Sequence, residues 1–68
     1  MDESVRVMLE ESYIETVREA LNSGRSNMEA HKEGVVAAAM LLASLNGTED
    51  EKARQEVANL KFRPDMAA

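Results

Sequence analysis

Between Asp2 and Asn22 the chain contains no Gly or Pro, and Leu9, Tyr13, Ile14, Val17, Ala20 and Leu21 recur at spacings of three and four. That period places them on one face of a helix spanning about residues 3–22. Acidic residues crowd its start, where the helix dipole favours them, and Gly24 stands where a left-handed C-terminal cap belongs. A second helix is expected over about 27–45. Ser26 and Glu29 have capping-box spacing at its start, and Asn46-Gly47 marks its end. The short connection between the two predicts an antiparallel αα-hairpin. Thr48 and Glu51 repeat the capping-box spacing, and Ala53, Val57 and Leu60 follow at i, i+4 and i+7, giving a third helix over about 49–60. Pro64 stops any continuation, and residues 64–68 read as a frayed tail.

The second helix departs from the ordinary amphipathic pattern, because every residue from Val35 to Ala43 is apolar. Three stripes can be drawn around it: Met28, His31, Val35 and Leu42; Ala30, Gly34, Ala38, Leu41 and Leu45; and Val36, Met40 and Ala43. Two short helices cover two stripes, so one is left to meet something else. Ala30, Gly34 and Ala38 form a small-residue ladder that lets another helix backbone approach closely. The neighbour is either the first helix or a second copy of the chain. The self-association surface expected from this pattern comprises Ala30, Gly34, Ala38, Leu41, Leu42 and Leu45.

Size strengthens that expectation. A domain of 68 residues lies near the lower limit at which buried apolar surface offsets lost conformational entropy. Small domains lean on disulfides, metals or a second subunit, and this chain has no cysteine and one histidine. The expected architecture is therefore one all-α domain over residues 1–68, a helical hairpin plus a short third helix, paired as a homodimeric helical bundle. Cysteine-free composition suits a reducing cytoplasm. The longest apolar run is about half of the roughly 20 residues a membrane span needs.

The net charge of −5 argues against phosphate backbones and anionic membranes as partners. The third helix and its exit do carry Lys52, Arg54, Gln55, Asn59, Lys61 and Arg63, residue types found on DNA-reading helices. Glu49, Asp50, Glu51 and Glu56 are interleaved with them and would repel phosphates. Glu11, Glu15 and Glu19 form an acidic ridge at i, i+4, i+8 on the outer side of the first helix, with Met8 beside it. Like charges at that spacing gain nothing locally. The ridge is either a solvated face or a docking surface for a basic partner protein, with Met8 as an adaptable contact.

His31 lies on an apolar stripe, and Glu29 and Glu33, two residues away on either side, face elsewhere. Asn27 is the one polar residue a turn away, so neither a metal site nor a catalytic base is expected there. Nucleophile elbows and phosphate-binding loops are absent. The sequence is thus read as a non-enzymatic helical protein–protein interaction module, a regulator, inhibitor or adaptor, without cofactor or metal. The alternatives are a DNA-binding regulator using the third helix and a structural subunit of a larger assembly. In composition, and with no motif behind the likeness, it resembles small bacterial and phage accessory proteins that bind host regulators.

Overall fold

The computed structural model describes residues 1–68 as three α-helices and a closing 3₁₀ turn: α1 (Glu3–Asn22), α2 (Asn27–Asn46), α3 (Asp50–Asn59) and η1 (Pro64–Ala67). Each boundary has a local cause. Asp2 caps α1 by accepting from the Ser4 N–H at 3.0 Å. At the other end the Gly24 N–H donates to the Leu21 carbonyl and the Arg25 N–H to the Ala20 carbonyl. This is the Schellman pattern, with Gly24 at φ 90°. The Ser26/Glu29 capping box forms in both directions, each bond 3.1 Å long. Accepting the Ser26 N–H holds the Glu29 carboxyl below the usual carboxylate range. Gly47, at φ 65°, ends α2. The expected Thr48/Glu51 box is not made: α3 starts one residue later, with Glu49 at the N-cap position and no side-chain capping bond.

α1 and α2 lie side by side as the predicted hairpin, and α3 packs on another side of α2. The core between α1 and α2 is made by Leu9, Tyr13 and Val17 against Ala30, Gly34 and Ala38. A Cβ on Gly34 would stand 2.7 Å from the Tyr13 ring and 2.7 Å from Val17. The small-residue ladder therefore faces α1 of its own chain, and the close approach it permits is intramolecular. Leu42 is also buried, Leu41 is half-buried, and Leu45 is exposed. Of the six residues expected to form a self-association surface, Ala30, Gly34, Ala38 and Leu42 are thus already covered within one chain. Apolar periodicity marks a face for burial without saying which neighbour buries it.

The C-terminal segment also departs from expectation. Residues 64–68 are not a frayed end. After α3 the chain turns at Lys61, brings Phe62 against the Tyr13 ring with centroids 5.2 Å apart, and folds η1 back over α1 and α2. Phe62 and Ala67 are both buried, and Pro64 opens the new turn as well as ending the old helix. This segment closes one end of the core. The radius of gyration is 11.2 Å, close to the ~11 Å of a compact domain of this length. No helix is long and apolar enough to cross a membrane.

Candidate interaction surface

With α1 and α3 in place, α2 keeps one uncovered side. Val36 is 41% exposed and Met40 67% exposed, with Ala37 and Ala43 half-buried beside them. This is the third stripe of the sequence pattern, left open as the count of covering helices implied.

Next to it lies a groove between α2 and the end of α3. Its deeper part, about 300 Å³, is lined by His31, Val35, Val57, Ala58, Lys61, Phe62 and Arg63. Across His31, Val35 and Ala58 it continues into a second depression that adds Lys32, Val36 and Arg54. The floor is apolar and the rim is cationic. Lys32, Arg54, Lys61 and Arg63 are four of the chain's eight Lys and Arg residues, and none of its 13 acidic residues lines either part. Asp50 and Glu33 come in only toward Met40. Lys32, Arg54 and Lys61 make no ion pair, and Arg63 meets exposed Asp65 at 3.4 Å.

Arg54 and Ala58 stand at i and i+4 on one side of α3, with Glu56 on another. Asp50, one turn before Arg54, shares the neighbouring depression toward Met40 with it. Lys61 lies beyond the end of α3 and reaches the groove through the turn that follows the helix. Lys61 takes φ 59°, a left-handed conformation that costs a non-glycine residue roughly 1–2 kcal/mol. It occupies the position after the helix end where glycine is usual.

His31 forms part of the wall through a bond that a search along its own helix could not find. Its Nδ1 lies 2.7 Å from the hydroxyl oxygen of Tyr13, on α1. The Tyr13 side chain is fully buried, and this is its one hydrogen-bond partner. A buried hydroxyl hydrogen needs an acceptor, so Tyr13 donates to Nδ1, and the neutral ring carries its proton on Nε2. Burial, followed by the nearby Asp65 carboxylate, pushes the Tyr13 hydroxyl above the ordinary tyrosine value. The bond satisfies the one polar atom of a core side chain and holds the imidazole over the groove. No group of three His, Cys, Asp or Glu side chains is placed to hold a metal ion.

On the opposite side of the hairpin, Glu11, Glu15 and Glu19 are exposed and make none of the chain's ion pairs, and Met8 is 42% exposed. The structure keeps this ridge as the sequence pattern placed it, on the side of α1 away from α2. No family model matches the chain, and no curated protein or solved structure shows significant similarity to it.

Proposed function

We propose that the chain is a non-enzymatic interaction protein, a small regulator, inhibitor or adaptor of the cytoplasm that works by docking and associates with copies of itself. One observation carries this reading: Val36 and Met40 are bare on a helix that buries Ala30, Gly34, Ala38, Ala39 and Leu42 within its own chain. Isolated domains keep contiguous apolar patches small, and a patch beside a shaped groove marks a contact site. Sedimentation equilibrium of the purified chain tests it. Self-association is expected at micromolar concentration, and Met40→Glu should weaken it at least tenfold while leaving the helical circular dichroism spectrum intact. A chain that stays monomeric at every measurable concentration would remove the self-association from this reading.

A second reading, a DNA-binding regulator, has one observation in its favour, the cationic rim formed by Arg54, Lys61 and Arg63. Its weakness is the net charge of −5. Heparin retention and salt-dependent binding to random duplex DNA would support it.

A further inference from the structure

We propose that the groove between α2 and α3 receives the acidic outer side of α1 from a second copy, so that the chain associates head to tail. The proposal deepens the docking reading above by naming what docks.

Both halves of the contact are present on this one chain. The groove offers Lys32, Arg54 and Lys61 unpaired around an apolar floor, with Arg63 held by Asp65, and the ridge offers Glu11, Glu15 and Glu19, none of them in an ion pair although exposed Arg18 lies one turn beyond Glu15. Glu11 to Glu19 covers about 12 Å of helix at 1.5 Å of rise per residue. Met8 stands on the ridge side of α1, one turn before Glu11, and is exposed. Its flexible thioether suits a shallow floor built from Val35, Ala58 and Phe62. The donated Tyr13 hydrogen leaves His31 with a free Nε2–H, a further donor in a wall already rich in them.

The ridge and the groove lie on different sides of the molecule, since α1 turns its outer side away from α2 while the groove lies between α2 and α3. No copy can fill its own groove. A ridge seated in a neighbour's groove leaves one ridge and one groove open at the ends, so growth continues until a ring closes. This differs from twofold pairing through Val36 and Met40, which stops at two copies. It also differs in its response to salt, because a contact between exposed charges is screened whereas an apolar one is not.

The test uses the full chain in sedimentation experiments at about 0.1 M and about 1 M salt, where the Debye length falls from about 10 to about 3 Å. Average mass should rise past that of a dimer with protein concentration and drop at high salt. Two charge-reversed variants complete it: Glu15→Lys with Glu19→Lys, and Arg54→Glu with Lys61→Glu. All four positions are exposed, and circular dichroism checks that each variant is folded; Arg54→Gln replaces the second pair if it is not. Each variant alone should associate at least tenfold more weakly than the parent chain, and mixing the two double variants should restore association. Failure of the mixture to associate would overturn the proposal. A salt-insensitive dimer abolished by Met40→Glu alone would overturn it too while leaving the docking reading intact. Monomeric behaviour throughout would defeat both. Binding of random duplex DNA that is lost with Arg54→Glu would also overturn it, by assigning the rim to phosphates.

Discussion

Gly34 and Tyr13 decide how closely the hairpin can close. Gly34→Ala gains about 1 kcal/mol of helix propensity but drives a methyl group into the Tyr13 ring and Val17, both fully buried. Overpacking of that kind costs about 1–3 kcal/mol, so the variant should melt lower, by roughly 4–8 °C for each net kcal/mol lost. Tyr13→Phe deletes the bond to His31, at a cost of about 1 kcal/mol. It should also change the response to alkali. Because folding raises the Tyr13 value, the unfolded chain releases its proton first. The contribution is therefore whole below about pH 10 and is lost as pH rises through the folded value. Denaturant titrations on either side of pH 10 should show the parent losing stability relative to the Phe variant. Tyr13 is the chain's one tyrosine, so tyrosinate absorbance reports the same titration directly. The sequence revealed Tyr13 as a core position and His31 as a histidine without a partner on its own helix. Their bond was not legible, because it joins residues 18 apart on two helices.

α1 and α2 were legible because local rules end them. The Ser26/Glu29 box, Gly24 and Gly47 place the limits of α1 and α2 within a residue of the expected ones. The rules failed at the start of α3, where the Thr48/Glu51 box is not made, and where the structure answers to a distant contact. Phe62 lies outside the period of α3, so nothing nearby marked it as core, and Pro64 signalled an ending without revealing the turn it starts. The buried segment makes a checkable demand. Burial of a Phe of this kind is worth about 3–5 kcal/mol against Ala. Phe62→Ala should therefore lower the melting temperature by more than 10 °C, where a truly frayed tail would tolerate the change. Loss of hydrogen-exchange protection in α1 around Tyr13 should accompany it.

For the whole molecule, the sequence yielded the all-helical hairpin with a third helix, and it foresaw that one stripe of α2 would stay bare. It did not show that the small-residue ladder would be covered by α1, and this moves the diagnostic substitution. Ala38→Leu would disturb the hairpin itself, since Ala38 is fully buried, and could not separate folding from association. Met40→Glu can. The basic groove was hidden for a related reason: its cations come from α2, α3 and the segment after α3, and only the fold brings Lys32, Arg54, Lys61 and Arg63 together. Lys61 ties these levels together. At φ 59° it holds a conformation better suited to glycine, and its ammonium group stands on the groove rim. Lys61→Gly should raise the melting temperature by a few degrees while weakening self-association. A library of variants selected for heat resistance alone would then drift to glycine at this position and shed the assembly on the way. A library selected for assembly would keep the lysine and remain the less heat-resistant of the two.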